Sequence, residues 1–110
     1  MADYIDFPGK SGNFYRYWFL ANRDAKSIKT VAGNYMFIKQ SGNGWVPVYI
    51  GQAQNLSERI STHERWKDAV ARGATNAVAH TTEGREAARL AEERDLIEYW
   101  KPSCNTQYAA

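Results

Sequence analysis

Two strand-like segments on either side of a turn constrain the fold of this chain more than any other feature. The segments are 33–40, GNYMFIKQ, and 45–50, WVPVYI, and both are rich in aromatic and β-branched residues. Residues 41–44 between them, SGNG, are typical of a tight turn, so we predict an antiparallel hairpin. Because Pro47 has no amide hydrogen, we expect it to lie at a sheet edge or at a bulge.

A helix is predicted directly after this hairpin. Gly51 interrupts the apolar run, and Asn55 is a residue type that caps helices. Four side chains then follow at helical spacing along one face: Leu56, Arg59, Ile60 and His63. Arg59 and His63 should therefore point in the same direction.

One more strand and two more helices are predicted downstream. Residues 66–74, WKDAVARGA, favour a short helix that ends at Gly73. The segment 75–82, TNAVAHTT, predicts a strand on which two alanines, Ala77 and Ala79, share one face and Val78 and His80 share the other. The longest helix is predicted from about Glu83 to Trp100, because proline follows at position 102 and cannot continue it.

The first 32 residues give a weaker signal. Their aromatic segment 13–20, NFYRYWFL, suits either a strand or the start of a helix, and its periodicity does not separate the two. The N-terminus lacks the basic patch and apolar stretch of a signal peptide, and Cys104 is the single cysteine. No apolar run approaches the roughly 20 residues of a membrane span. We therefore expect a cytoplasmic protein that does not enter membranes.

The charge distribution is uneven along the chain. Residues 1–72 carry ten Lys and Arg against six Asp and Glu, whereas residues 73–110 carry four against six. This basic excess is compatible with a phosphate-bearing partner, but charge alone does not decide the function.

A glutamate in an apolar part of the last helix is the first hint of chemistry. At about 100° per residue, six residues of this helix form one broad apolar arc: Ala87, Leu90, Ala91, Leu96, Ile97 and Trp100. Glu93 falls inside the arc, between Ile97 and Trp100, and Glu92 falls outside the arc or at its margin. A buried carboxylate is costly unless it is paired, hydrogen-bonded or bound to a cation. A salt bridge and a metal site are both open interpretations of Glu93.

Five elements in a fixed order connect this glutamate to the hairpin. Gly33-Asn34-Tyr35 lies on the first hairpin strand, Tyr49-Ile50-Gly51 lies on the second, and Arg59 and His63 follow on the first helix. The segment 92–105, EERDLIEYWKPSCN, then supplies a glutamate, a Leu-Ile pair and a Pro-x-x-Asn ending. In this order the elements resemble the GIY-YIG nuclease family, although Asn34 departs from the family name at the middle position.

The resemblance implies a particular organisation of the chain. The expected fold is α+β, with a small antiparallel β-sheet of about three strands flanked by helices. The GIY-YIG-like nuclease domain would span residues 33–105, with an N-terminal extension of unknown role at 1–32 and a C-terminal tail at 106–110.

The resemblance also implies an activity, namely metal-dependent endonucleolytic hydrolysis of phosphodiester bonds. Glu93 would hold one divalent cation, Mg²⁺ or Mn²⁺, and Arg59 would clamp the scissile phosphate. One of the two strand tyrosines would orient or deprotonate the attacking water, with His63 sharing the proton. Asn105 would hold Glu93 or a tyrosine in place. The implied catalytic set is Tyr35, Tyr49, Arg59, His63, Glu93 and Asn105.

The expected partner is nucleic acid, with DNA favoured over RNA. Three further basic residues are expected to contact phosphates without taking part in the chemistry: Lys39, Arg65 and Lys67. The short chain leaves no room for a separate recognition domain, so cleavage should be weakly sequence-specific, and a homodimer or a recognition partner protein stays open. The alternative is a non-catalytic nucleic-acid-binding or protein-interaction module on the same fold.

Overall fold

A computed structural model describes residues 4–20, 32–61, 65–82 and 84–105. These ranges contain one five-stranded sheet and three helices. In chain order the elements are β1 (Tyr4–Pro8), β2 (Phe14–Phe19), β3 (Gly33–Ser41), β4 (Gly44–Ala53), α1 (Leu56–Ser61), α2 (Arg65–Ala71), β5 (Asn76–Thr81) and α3 (Glu86–Trp100).

The sheet has the strand order β1-β2-β5-β3-β4, and every neighbouring pair is antiparallel. The α+β class is therefore confirmed, but the expected number of about three strands is wrong. The two additional strands come from residues 4–19, where the sequence left strand and helix undecided. Aromatic residues occupy both faces of β2, so this strand shows no alternation of apolar and polar residues that would reveal it.

The β3–β4 hairpin agrees with the sequence prediction in its details. Ser41 pairs with Gly44 across a two-residue turn, where Gly42 has a φ of 60°. Pro47 lies on the edge strand β4 opposite Ile38, and the register shifts there by one residue as in a β-bulge.

The edge of β4 is covered by the segment that follows α3. The Cys104 amide donates to the Val48 carbonyl at 3.0 Å. The Asn105 side chain accepts from the Ile50 amide at 2.9 Å and donates to the Ile50 carbonyl at 2.8 Å. This segment therefore satisfies backbone groups that an edge strand would otherwise leave unpaired.

The two faces of the sheet carry separate cores. On one face, α1 and α2 pack against β3 and β4 around Tyr35, Phe37 and Val48. On the other face, Leu96 and Ile97 of α3 pack into a core that includes Tyr17 and Met36. Ala77 and Ala79 face the first core and Val78 faces the second, as the alternation of β5 predicted.

The inward face of α3 differs from the predicted arc. Leu90 is 41% exposed and Ala87 and Ala91 are also exposed, whereas Arg89 and Glu92 are buried. The residues that face the sheet are spaced as i, i+3, i+4, i+7, i+8 and i+11: Arg89, Glu92, Glu93, Leu96, Ile97 and Trp100. The prediction that Glu92 falls outside the arc or at its margin is therefore wrong, because the first half of the buried face is polar and a search for an apolar stripe misses it.

The N-terminal hairpin is tied to α3 through Asp95. The Asp95 carboxylate accepts from the amide and hydroxyl of Ser11 at 2.8 and 2.7 Å and from the Tyr15 hydroxyl at 2.7 Å. A Cβ added at Gly9 would overlap the same carboxylate, so the chain approaches α3 closely there. Residues 4–19 are thus continuous with the rest of the sheet and with α3.

Within the described ranges, none of the helices is long and apolar enough to cross a lipid bilayer.

Candidate active site

Three of the residues singled out in the sequence meet where β4 leads into α1. The Arg59 guanidinium hydrogen-bonds the phenol oxygens of Tyr35 and Tyr49, and the two phenols hydrogen-bond to each other. The two rings lie with their centroids 6.1 Å apart. Tyr35 is buried, Tyr49 is half-buried and Arg59 is exposed, so the cluster extends from the core to the surface.

Local sequence explains why these groups meet. Asn55 caps α1, since its side-chain oxygen accepts from the Glu58 amide at 3.2 Å, and Leu56 and Ile60 are buried against the sheet. That anchoring leaves Arg59 at the edge of the helix, above the tyrosines. A Cβ on Gly51 would lie 2.7 Å from the Tyr35 hydroxyl oxygen, so glycine at this position makes the space that the phenol occupies.

Glycine is also required at the start of β3. A Cβ on Gly33 would overlap the His80 carbonyl oxygen of β5 and would lie 2.7 Å from a methyl of Leu56. The glycines of both tyrosine motifs therefore allow close approach of neighbouring elements around the site.

The electrostatic environment distinguishes the two tyrosines. Burial is the main cause that raises the pKa of Tyr35 well above its ordinary value, and the neighbouring Tyr49 adds to the increase. The charge of Arg59 lowers this pKa but does not offset the other two effects. Tyr35 is thus a neutral phenol that donates a hydrogen bond at neutral pH. The more accessible Tyr49 is the tyrosine that solvent reaches.

A cleft opens to solvent beside this cluster. Its volume is about 440 Å³, and its lining includes Gln52, Asn55, Arg59 and Glu86. Because Glu86 is the first residue of α3, the cleft lies between the end of β4, the start of α1 and the start of α3.

Glu93 lies on α3, on the opposite face of the sheet from the Tyr35–Tyr49–Arg59 cluster. One turn earlier on the same helix, the Arg89 guanidinium donates to the Gln52 side chain at 3.0 Å, which brings the start of α3 to the end of β4. Glu93 is half-buried, and burial raises the pKa of its carboxyl. In the ranges that the structure describes, this carboxylate has no hydrogen-bond or ion-pair partner, so the salt-bridge interpretation finds no support there.

Glu92, which the sequence did not single out, has a buried polar network of its own. Its carboxylate accepts from the Tyr17 hydroxyl at 2.6 Å and lies 2.5 Å from the His80 Nε2. Asn34 extends the network, because its side chain donates to the Arg89 carbonyl at 3.0 Å and accepts from the Thr82 hydroxyl at 2.5 Å. Two features of the sequence could have indicated this network. Glu92 lies one helical turn before Leu96, and His80 lies on β5.

Asn34 also explains the departure from the family pattern at that position. Its side chain faces α3 and is fully buried, and it anchors the first turn of the helix. A buried amide here is accommodated because both of its polar atoms are hydrogen-bonded.

The remaining predicted residues lie at separate positions, and one of them is outside the described ranges. Lys39 is half-buried on β3, Lys67 is exposed on α2, and Arg65 forms a 3.4 Å ion pair with Asp68. His63 lies outside the described residues. Asn105 is bonded through both side-chain atoms to the backbone of Ile50, next to Tyr49.

The fold is that of GIY-YIG endonuclease domains, as the sequence resemblance implied. Solved structures of the GIY-YIG N-terminal endonuclease domain of UvrC from Thermotoga maritima match the chain over 71% of its length. The form bound to its catalytic divalent cation, magnesium, has a TM-score of 0.56, 24% sequence identity and 86% of that domain covered.

Two point mutants of the same domain, also bound to the catalytic cation, give similar values. A tyrosine-to-phenylalanine mutant has a TM-score of 0.55 and 24% identity over 71% of this chain and 86% of that one. An asparagine-to-alanine mutant has a TM-score of 0.55 and 23% identity over 70% and 84%. No family model and no curated protein sequence matches the chain, so these similarities concern the fold.

Proposed function

We propose that this protein is a metal-dependent endonuclease that hydrolyses phosphodiester bonds, with DNA as its substrate and weak sequence specificity. The observation that carries the proposal is that Arg59 hydrogen-bonds the phenols of both Tyr35 and Tyr49 beside an open cleft. Hydrolysis of a phosphodiester requires stabilisation of charge on the phosphoryl oxygens and a positioned water. A guanidinium and two phenols supply both requirements.

Arg59 would bind the scissile phosphate. Its planar fork of donors suits two phosphate oxygens, and its exposure at the cleft leaves the outer donors accessible to a ligand. The phenols that it contacts hold the guanidinium in one orientation before substrate arrives. Preorganisation of this kind reduces the cost of rearrangement during the reaction.

Tyr49 would orient the attacking water, and Tyr35 would hold Tyr49 and Arg59 in position. The raised pKa of Tyr35 disfavours its phenolate, which makes it unsuited to remove a proton. Tyr49 is the more accessible phenol and therefore the better candidate for contact with water. His63 stays a candidate to share the proton, and Asn105 supports Tyr49 through the backbone of Ile50.

Glu93 fits the role of a carboxylate ligand for one divalent cation. It is half-buried, its pKa is raised by burial, and no cation of the described residues neutralises it. The described ranges contain no group of three or more His, Cys, Asp and Glu side chains that could hold a metal, so the proposal assigns a single protein ligand, Glu93. Mg²⁺ accepts such a site, since waters and substrate oxygens complete its shell. It would supply charge stabilisation to a phosphate that passes the end of β4, where Arg89 of α3 contacts Gln52 of the cleft lining.

A plasmid-nicking assay tests the proposal. Wild-type protein with Mg²⁺ should convert supercoiled plasmid to the open circular form without discrete fragments, and EDTA should abolish the conversion. A protein that retards plasmid in a gel but leaves it intact in Mg²⁺ and in Mn²⁺ would instead be the non-catalytic binding module.

A further inference from the structure

The charge balance of the cleft beside Arg59 does not by itself favour a phosphodiester. Among the described residues of the lining, Arg59 is the cation, and Glu58 and Glu86 are carboxylates. A phosphodiester is an anion, so two carboxylates against one guanidinium would disfavour its binding. Binding therefore requires a further hydrogen-bond donor in the lining, and Gln52 is placed to supply it.

Gln52 directly follows the Tyr49-Ile50-Gly51 motif on β4. The register pairs it with Asn34 of β3, and directly opposed residues of antiparallel strands point to the same face, so both side chains face α3. Gln52 is half-buried and lines the cleft. It therefore lies where β4 ends, between α1, which carries Arg59, and α3, which carries Glu93.

A hydrogen bond to Arg89 determines which end of the Gln52 amide is available. The Arg89 Nε donates to the Gln52 Oε1 at 3.0 Å. Because a guanidinium only donates, the amide oxygen must face Arg89, and the NH₂ group is directed away from it. This NH₂ group has no acceptor among the described residues. Two N–H donors of a side chain in the cleft lining are therefore left for a ligand.

Arg89 is placed to hold the amide and not to bind substrate itself. It is 5% exposed, so its guanidinium is shielded from a ligand in the cleft. Its backbone is fixed as well, because the Asn34 side chain donates to the Arg89 carbonyl at 3.0 Å. In the described parts of the chain Arg89 forms no ion pair, and its positive charge next to Oε1 polarises the Gln52 amide. This polarisation makes the amide N–H groups stronger donors.

We infer that the Gln52 amide donates a hydrogen bond to an oxygen of the phosphate that Arg59 binds, and that Arg89 is the positioning residue that directs this amide into the cleft. The inference rests on the proposed nuclease function and adds a substrate-binding residue to it. The two contacts to the phosphate come from α1 and from the end of β4. They hold the phosphate at the side of the cleft that adjoins α3.

A purely structural role is the alternative for Gln52, because its bond with Arg89 also ties α3 to β4. Gln52→Glu separates the two roles, since a carboxylate has nearly the same shape and still accepts from Arg89 but has no N–H to donate. A charge-assisted hydrogen bond replaces a weaker one, so the variant should melt at the same temperature as wild type or higher. Its affinity for DNA should nevertheless fall.

Fluorescence anisotropy of a labelled DNA duplex in EDTA measures this affinity under conditions that prevent metal-dependent cleavage. Gln52→Glu should weaken binding by about 10- to 100-fold, as expected for loss of a hydrogen bond to a charged group. Gln54→Glu is the matched control, because Gln54 is an exposed residue of the same lining and gains the same charge. It should weaken binding by about fivefold or less.

A second set of variants tests the positioning role of Arg89. Arg89→Met removes the donor that orients the amide and should weaken binding by about 3- to 10-fold, whereas Arg89→Lys keeps a donor and should retain most of the affinity. In a Gln52→Leu background, Arg89→Met should cost less than about twofold, because an effect that acts through the amide disappears with the amide. Additive losses would overturn the positioning role.

The outcomes separate this inference from the nuclease proposal. A Gln52→Glu protein that binds the duplex as well as Gln54→Glu, while wild type nicks plasmid, would overturn the inference alone. A Gln52→Glu protein that loses stability together with affinity would identify Gln52 as a structural residue and also overturn it. If wild type neither binds the duplex nor nicks plasmid, the nuclease proposal fails and the inference fails with it.

Discussion

The phenol of Tyr35 occupies the space that any side chain on Gly51 would fill. The Cζ and hydroxyl oxygen of Tyr35 both lie 2.7 Å from the position of a Cβ on Gly51, which is closer than non-bonded carbon atoms approach. The glycine of one tyrosine motif thus determines where the tyrosine of the other motif lies. This contact fixes the phenol beneath Arg59.

Substitution of Gly51 by alanine should therefore displace Tyr35. Overpacking of this kind costs about 1–3 kcal/mol of unfolding free energy, and nicking should fall by at least tenfold because the Arg59 bridge is distorted. Urea denaturation and plasmid nicking measure the two effects. Gly44→Ala is the control, since the nearest atom to its added Cβ is 3.9 Å away, and it should change neither quantity.

Removal of the Arg59 guanidinium should affect rate more than binding. Arg59→Ala should lower the nicking rate by about 10²-fold or more, because it removes a charge directed at the phosphoryl group during the reaction. Arg59→Lys should recover little of the rate, since a lysine cannot contact both phenols and the phosphate.

Lys67→Ala provides the comparison for Arg59, because Lys67 is an exposed cation on the neighbouring helix. It should leave the rate at saturating DNA unchanged and reduce the salt dependence of binding by about one counterion. If Arg59→Ala instead keeps its rate at saturation and loses only affinity, Arg59 is a docking residue.

The Asp95 contacts predict a pH dependence of stability. Burial opposes the ionised carboxyl, but hydrogen bonds from Ser11 and Tyr15 outweigh it and hold the pKa of Asp95 below its ordinary value. A depressed pKa contributes stability above the unfolded value, and that stability is lost as pH falls through the folded-state pKa. Asp95→Asn should therefore melt a few degrees lower than wild type at pH 7, and the difference should shrink below about pH 4. A difference that stays constant down to pH 2 would mean that the charge is not involved.

Asn105 should behave as a structural residue. Its side chain satisfies both backbone groups of Ile50, so Asn105→Ala should lower the unfolding free energy by about 1–3 kcal/mol. The exposed neighbour Ser103 is the control, and Ser103→Ala should change stability by less than about 0.5 kcal/mol. Calorimetry at neutral pH distinguishes the two variants. Equal stability of both would remove the proposed support of Tyr49 by Asn105.

The parts of the fold that the sequence predicted are those with strong local signals. Asn55 caps its helix as expected, the turn around Gly42 closes the β3–β4 hairpin, and Pro47 lies at both an edge and a bulge. Each of these depends on backbone chemistry specific to one residue type. Such signals do not require knowledge of the tertiary structure.

The parts that were missed depend on long-range polar contacts. The buried position of Glu92 is stabilised by Tyr17, 75 residues away, and by His80, and neither partner is recognisable from the sequence of α3. The N-terminal strands were undecided for a similar reason. Trp18 is exposed on one face of β2 and Tyr17 is buried on the other, although both are large aromatic residues.

Only part of the candidate site was predicted, namely the part that depends on local sequence signals. The helical spacing and the strand-to-helix turn indicated that Arg59 would meet Tyr49, which the structure supports through the hydrogen bonds of Arg59. The position of Glu93 relative to this cluster depends on how α3 crosses the end of β4, and no local pattern encodes that.

Glu93→Gln, studied for stability and activity together, tests the account most directly. Burial raises the pKa of the Glu93 carboxyl above its ordinary value, and such a group favours folding only while it is protonated. This contribution is complete below the unfolded value and is lost as pH rises through the folded-state pKa. At pH 7 without metal, the variant should therefore melt at the same temperature as wild type or slightly higher, and the two should converge below about pH 4.5.

Addition of Mg²⁺ completes this measurement. Mg²⁺ should raise the melting temperature of wild type and leave that of Glu93→Gln unchanged, and the variant should fail to nick plasmid although it is folded. A Glu93→Gln protein that is about 3–5 kcal/mol less stable than wild type, and that still nicks plasmid at low temperature, would identify a buried ion pair and contradict the account.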